Sequence, residues 1–492
     1  MTSQIRKLGA ALLVLYLVLF VQLNVLQVGK REALGQHPLN NRQSIRDFNR
    51  PRGPIVTADG VVVARSVAVQ GSQYKYQREY PLGDLVSNIT GYYTYSFGST
   101  QVEKVQSAVL MGDTAAQTVD GVFGGADNSG SVQLTIRADV QQVAAEALGE
   151  REGSVVVQDT RTGAVIAMVS YPRFDGNLVA QNNADQAEAA FTFYNNYPGK
   201  PLLANAYQEN YMPGSAFKVI TTATALERGA LTLDRSWPDE KEWLPPQTND
   251  PIQNYGGKSC GGTMVEVFYR SCNIPFAQLA VEMGADAMVQ GTRAWGFGER
   301  LPFDLPRAAA SNFEKAGGEL IDFANNQPLL AIGGFGQAND KMVPLHMSMV
   351  AATIANGGRM MQPYVIDSTM AHNGRVLSRT QPAVWKTPIS PTTAATLTNL
   401  MIGVVNLGTG KPMQLANGIQ AAAKTGTAQL NATGEPQRSH AWIMGFAPAE
   451  APRYSIAVVL KGTNDEISAS TGGRLAGPIA KKVLDHLFST GG

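Results

Sequence analysis

Midway along the chain, Pro213-Gly214-Ser215-Ala216-Phe217-Lys218-Val219-Ile220-Thr221-Thr222-Ala223-Thr224-Ala225-Leu226 sets a helix breaker before a run rich in Ala and Thr. Pro213-Gly214 interrupts whatever precedes them, so a helix is predicted to begin at Ser215 and to run to Leu226, buried against a sheet. Ser215 and Lys218, at i and i+3, then share one helix face. A serine hydroxyl is a poor nucleophile until a base takes its proton. Phe217, Val219 and Ile220 surround Lys218 with apolar groups, and desolvation there disfavours the ammonium form. The helix N-terminus favours negative charge developing beside the serine. An S-x-x-K tetrapeptide also arises by chance on helix surfaces, so it gains meaning only from what stands elsewhere in the chain.

Two further short motifs follow in order: Ser271-Cys272-Asn273 and Lys424-Thr425-Gly426-Thr427. The second lies in a strand-like stretch after Ile419 to Ala423. A Thr-Gly-Thr edge offers backbone N–H groups without bulky side chains. A peptide can add along such an edge as an extra strand, and the N–H of Thr427 paired with that of Ser215 would hold an oxyanion. Around these motifs the chain alternates strands and helices. Ser154 to Val169 forms a hairpin of two β-branched runs about Thr162-Gly163, and Ala441–Ala447 with Tyr454–Leu460 forms another. Gly477 to Phe488 is helical, as is Ala138 to Leu148. Strands at both ends with helices between predict a mixed α/β (α+β) fold, its central sheet covered by helices.

Nearer the N-terminus, Gly53 to Ala64 is predicted to form two short strands around the Asp59-Gly60 turn. The arginine-rich stretch from Gln36 to Arg52 reads as an exposed connector, and the glycine-rich Gly121 to Gly130 as a linker. An apolar run from Leu8 to Val28 follows Arg6 and Lys7 and is long enough to cross a bilayer as a helix. It ends in Gly29-Lys30-Arg31-Glu32 without an A-x-A site, which favours an uncleaved anchor over a signal peptide. Basic residues flank both ends of the run, and the expected orientation puts the bulk of the chain outside. The expected division is 1–28 cytoplasmic tail and anchor, 29–130 a smaller non-catalytic domain, and 131–492 the catalytic domain.

The 492 residues carry 40 Lys+Arg against 39 Asp+Glu, a balance that gives no electrostatic case for nucleic acid. The five histidines lack metal-ligand spacing, so no metal or other cofactor is expected. Gly408-Thr409-Gly410-Lys411 falls short of the phosphate-loop spacing. Trp442 and the Tyr92-Tyr93-Tyr95 cluster read as packing residues. Cys260 and Cys272 are either a disulfide or two buried thiols. In an exported segment the bridge is favoured, worth about 3 kcal/mol by chain entropy, with Cys272 turned away from the site that Ser271 and Asn273 face.

The ordered S-x-x-K, S-x-N and K-T-G motifs resemble those of the penicillin-binding proteins and serine β-lactamases. Within that superfamily the chain is similar to the class B, monofunctional transpeptidases. The supporting pieces span nearly its whole length: Arg52-Gly53, Asp59-Gly60, Ser170-Tyr171-Pro172, Asn205-Ala206, Gly334-Phe335-Gly336-Gln337, Thr353 to Gly358, Pro363-Tyr364 and His440-Ala441-Trp442. Its compact size and the cysteine within S-x-N are most similar to the penicillin-binding protein A type. Met212 and Ala216 depart from the usual pattern without removing a catalytic group.

The resemblance implies a peptidoglycan D,D-transpeptidase. Ser215 would attack the penultimate D-alanine of a stem peptide, with Lys218 taking its proton. Ser271, held by Lys218 and Lys424, would relay a proton to the leaving amine. Asn273 would bind the substrate amide, and Lys424, Thr425, Gly426 and Thr427 would receive the substrate carboxylate, which β-lactam antibiotics imitate as covalent inhibitors. It further implies a single-pass plasma-membrane protein with its catalytic domain outside, working with a membrane-embedded glycan polymerase. A D,D-carboxypeptidase or β-lactamase, in which water resolves the acyl-enzyme, and a non-catalytic β-lactam-binding scaffold are the alternatives.

Overall fold

A computed structural model of the chain describes residues 2–25, 42–118, 128–431 and 438–490. Helix α1 (Thr2–Asn24) contains Ser3–Asn24, long and apolar enough to cross a membrane at a mean hydropathy of 1.8. The predicted continuation of this run to Val28, and most of the predicted linker at 121–130, lie outside the described residues.

Three short strands come next, β1 (Ile55–Val56), β2 (Val62–Ala68) and β3 (Tyr76–Glu79), with β1 and β2 antiparallel around the expected turn. They are followed by β4 (Ser131–Leu134), α2 (Ala138–Leu148) and the hairpin β5 (Gly153–Asp159) and β6 (Val165–Tyr171). Helices α3 (Lys218–Glu227), α4 (Met264–Arg270), α5 (Ile274–Met283) and α6 (Pro344–Ala355) precede β7 (Ile366–Met370) and β8 (Val376–Arg379). The chain closes with α7 (Pro391–Asn406), β9 (Ala422–Gln429), β10 (Ser439–Ala447), β11 (Tyr454–Leu460) and α8 (Gly472–Ser489).

The larger sheet has the order β9-β10-β11-β5-β6 and is antiparallel throughout. Side chains alternate across a strand, and here both faces are apolar. Val155, Val157, Ile443 and Val458 pack with Val140, Ala144, Ile479 and Val483 of α2 and α8. Val156, Trp442, Met444 and Val459 face the opposite way, into the core that α3, α5 and α6 complete. Helices therefore cover both faces, and only β9, the first strand in the order, can present the motif Lys424–Thr427 along a free edge.

The other sheet, smaller in residues although it has six strands, runs β8-β7-β4-β1-β2-β3. Strand β4 lies parallel to β1 and antiparallel to β7, so this sheet draws on segments far apart in sequence. Beside it, Arg52 and Arg78 hold the buried Glu103 through Nε at 2.6 and 2.7 Å, and Phe48 stacks on Tyr93 at 4.5 Å between centroids. The exposed connector predicted for residues 36–52 is corrected over its described part. Arg42–Phe48 is a helix, and Phe48 and Arg52 are buried because an aromatic cluster and a carboxylate await them.

Candidate active site

Pro213-Gly214 does break the chain, but the first turn after it is tighter than predicted. Gly214–Phe217 is a 3-10 turn and the α-helix proper starts at Lys218. Ser215 thus stands on a constrained turn rather than in a regular helix. Gly214 takes φ +54° and donates its N–H to Gly336 O at 2.8 Å. Trp442 Nε1, in the next strand of the sheet, donates to Met212 O at 2.9 Å. Behind the turn Phe217 stacks on Phe313, 5.6 Å between centroids and 4° from parallel.

Lys218 and Lys424 are both fully buried and converge on Ser271. Lys218 Nζ donates to Ser271 O and to Asn273 Oδ1, each at 2.8 Å, and lies 3.5 Å from Ser271 Oγ. Lys424 Nζ donates to Ser271 Oγ at 2.8 Å and to Thr425 O at 3.1 Å. Burial, then the nearby Lys424, holds Lys218 well below the usual ammonium range, and burial brings Lys424 down to about 7. A neutral amine has two N–H donors and one lone pair. Its two short acceptors occupy both donors of Lys218, leaving the lone pair to accept a proton from a serine hydroxyl.

Ser271 reaches this position at a conformational cost. It caps α4 in the left-handed region, φ 64° and ψ 41°, which a non-glycine residue adopts with strain of order 1 kcal/mol. Cys272, between Ser271 and Asn273, is bonded to Cys260, 5.6 Å away between Cα atoms. The disulfide expectation is the one the structure shows. Cys272 is not among the residues lining the cleft that holds Ser215, as expected, and the bridge lines a second cleft beside it.

A cleft of about 200 Å³ is lined by Ser215, Ser271, Asn273, Thr425 and Thr427, together with Gln337 and Thr409. The buried lysines lie beneath it. Gly426 packs so closely on the nucleophile turn that a Cβ there would meet Pro213 O at 2.4 Å. Gln337 Nε2 donates to Thr427 O at 3.2 Å. In an extended strand the N–H and C=O of one residue point the same way, so Thr427 also turns its N–H off the free edge of β9. A larger cavity, about 530 Å³ and lined by Glu146, Glu150, Phe193 and Tyr197, gathers no nucleophile with a base.

The predicted site residues therefore meet, and the structure adds three that sequence reasoning passed over. Gln337 fixes the backbone of β9. Asn254 accepts the backbone N–H of Asn273 at 2.7 Å through Oδ1 and so orients it. Thr409 Oγ1 lies 2.6 Å from Thr425 Oγ1. Its segment forms a wall of this cleft. Gln337 had a local signal, the Gly-Phe-Gly-Gln tetrapeptide, Thr409 only the phosphate-loop-like Gly-Thr-Gly-Lys, and Asn254 none.

A strained serine bonded between two desolvated lysines, beside a second serine and a free sheet edge, defines the acyl-transferring serine enzymes of the penicillin-interacting class. The penicillin binding protein transpeptidase domain matches residues 153–485 and the penicillin binding protein A dimerisation domain residues 52–132. The chain belongs to the penicillin-binding protein transpeptidase family. It is 35% identical, over 98% of both chains, to the peptidoglycan D,D-transpeptidase PbpA of Mycolicibacterium smegmatis. The PbpA of Mycobacterium tuberculosis is 34% identical over 99% of both. Among solved structures, penicillin-binding protein A from M. tuberculosis as its ceftriaxone acyl-enzyme matches with a TM-score of 0.83 at 32% identity, covering 90% of this chain and 99% of that one. Its penicillin G acyl-enzyme matches at 0.81 and 32%, covering 89% and 100%.

Proposed function

We propose that this chain is a peptidoglycan D,D-transpeptidase, working through an acyl-enzyme on Ser215. The observation that carries the reading is the Lys218–Ser271–Lys424 cluster, hydrogen-bonded at 2.8 Å on either side of Ser271. Lys218, neutral by burial, takes the proton of Ser215 as its oxygen attacks the penultimate D-alanine carbonyl. The N–H groups of Ser215 and Thr427 stabilise the oxyanion. Ser271 passes a proton to the departing D-alanine amine. Lys424, Thr425 and Thr427 receive the carboxylate of that D-alanine, with Gly426 keeping the edge clear, and Asn273 binds the donor peptide amide. An amine of a second stem then attacks the ester, restoring Ser215 and leaving the crosslink. The described lining of the cleft holds no carboxylate to activate a water, which favours amine over water as the resolving nucleophile. β-Lactams acylate the same serine; the M. tuberculosis relative forms acyl-enzymes with ceftriaxone and penicillin G.

The proposed setting follows the same lines. The chain divides into anchor (1–28), accessory domain (29–130) and transpeptidase domain (131–492). Helix α1 holds it in the plasma membrane as a single-pass protein with the catalytic domain outside, and a membrane-embedded glycan polymerase contacts the anchor and residues 29–130. The test of the reading is incubation with penicillin followed by intact-mass measurement. The wild-type chain is expected to gain one long-lived adduct, mapped to Ser215, and Ser215→Ala none. Rapid turnover to free penicilloate would overturn it in favour of a hydrolase.

A further inference from the structure

The second cleft, about 380 Å³, shares Ser271, Tyr255, Arg270 and Thr409 with the catalytic cleft but is not lined by Ser215. Lys258, Arg270 and Leu407 line it, and the Cys260–Cys272 bridge forms part of its wall. Arg270 donates to Gly261 O at 2.9 Å and to Ser259 O at 3.4 Å, with Asp239 at 3.8 Å. Guanidinium and disulfide thus brace one loop from two sides. Lys258 is exposed, and no carboxylate among the described residues pairs with it. Leu407 is 64% exposed.

We infer that this cleft seats the acceptor stem peptide, the second substrate of the proposed transpeptidation, on whose Ser215 acyl-enzyme the inference rests. In the first half-reaction the D-alanine amine leaves past Ser271 while its carboxylate lies against Lys424 and Thr425. The second half-reaction reverses that step with a different amine, so by microscopic reversibility the incoming amine travels the same path. The amine nitrogen bonds to the acyl carbon, the C–Oγ bond of Ser215 breaks, and the amine proton returns through Ser271 to the serine oxygen. The remainder of the acceptor must then lie beyond the departing D-alanine. Thr409, joined to Thr425 by a 2.6 Å hydrogen bond, stands at that boundary, and the second cleft begins behind it. A stem peptide carries free carboxylates. Lys258 and Arg270 supply the complementary charge and Leu407 an apolar contact for its side chains.

The experiment uses the full chain in detergent with a soluble donor peptide ending in D-Ala-D-Ala. Labelled D-alanine, which fills only the leaving-group position, is compared with a synthetic stem tetrapeptide bearing a free side-chain amine. Lys258→Glu is expected to lower the ratio of tetrapeptide transfer to D-alanine exchange about tenfold. Leu407→Glu, which adds a negative charge at another exposed lining position, is expected to lower it in the same direction. A ratio within twofold of wild type in both variants would overturn the assignment. Absence of any Ser215 adduct in the wild-type chain would instead overturn the transferase reading beneath it, and this site with it.

Discussion

Ser215 acts through groups that the fold holds at an energetic cost. Two fully buried lysines share one serine between them, and each ammonium would make the other harder to form. Because the folded pKa of the base Lys218 lies well below the ordinary lysine value, the rise of penicillin acylation with pH should be complete well below the ordinary lysine range. Lys424→Met removes one of the two causes that depress Lys218. Its residual acylation is expected to be about 100- to 1000-fold slower at pH 7, with the rising limb moved to higher pH. A pH–rate profile of both proteins checks this. Linkage gives the sign for stability. Between about pH 7 and the unfolded lysine value the unfolded chain binds a proton at residue 424 that the native chain does not. Native stability therefore climbs with pH across that window, and its cost is full below it. Lys424→Met should melt at a higher temperature than wild type at pH 7, the gap closing towards pH 10.

Elements meet at this site through backbone, and that decides which parts were legible in the sequence. The three motifs could be read because the chemistry allows few residue types at those places, and the two hairpins of the larger sheet because their β-branched runs bracket turns. Asn254 and Thr409 could not, since nothing local marks a residue whose partner lies 19 or 16 positions away in chain. Arg52 was read as solvated for the same reason: its carboxylate, Glu103, lies 51 positions on. The 3-10 turn at Gly214–Phe217 was missed because Gly336 and β9 press on it, a constraint that no helix signal contains. That pressure is testable. Gly336 has φ +81°, and a Cβ there would come 2.1 Å from Gly214 O. Gly336→Ala is expected to displace the nucleophile turn and slow penicillin acylation at least ~100-fold. Gly374→Ala, at φ +82° in the turn between β7 and β8 with open space around it, carries backbone strain alone. It is expected to cost about 1 kcal/mol in denaturant unfolding and to leave acylation unchanged.

Across the whole molecule the smaller sheet joins what the chain order separates. Residues 55–56, 131–134 and 366–370 are hydrogen-bonded neighbours, so the catalytic half supplies strands on which the N-terminal segment folds. The far side of that sheet is secured by one carboxylate. Burial alone would push the Glu103 carboxyl up, but the Arg78 and Arg52 guanidiniums outweigh burial and hold it below the usual range. Tyr80 OH donates to the same carboxylate at 3.3 Å. The depressed pKa means that this contribution is present above the unfolded carboxylate value and is lost as pH falls through the folded one. Glu103→Gln keeps the shape and removes the charge, leaving two guanidiniums buried without a counter-ion, at a cost of about 3–5 kcal/mol. The larger sheet has one core, on the face that α2 and α8 cover, to which none of these partners belongs. The variant is therefore expected to show a separate, earlier calorimetric transition for the N-terminal segment. Its penicillin acylation at low temperature should remain within twofold of wild type, because Ser215, Lys218 and Lys424 are positioned by the larger sheet and its helices.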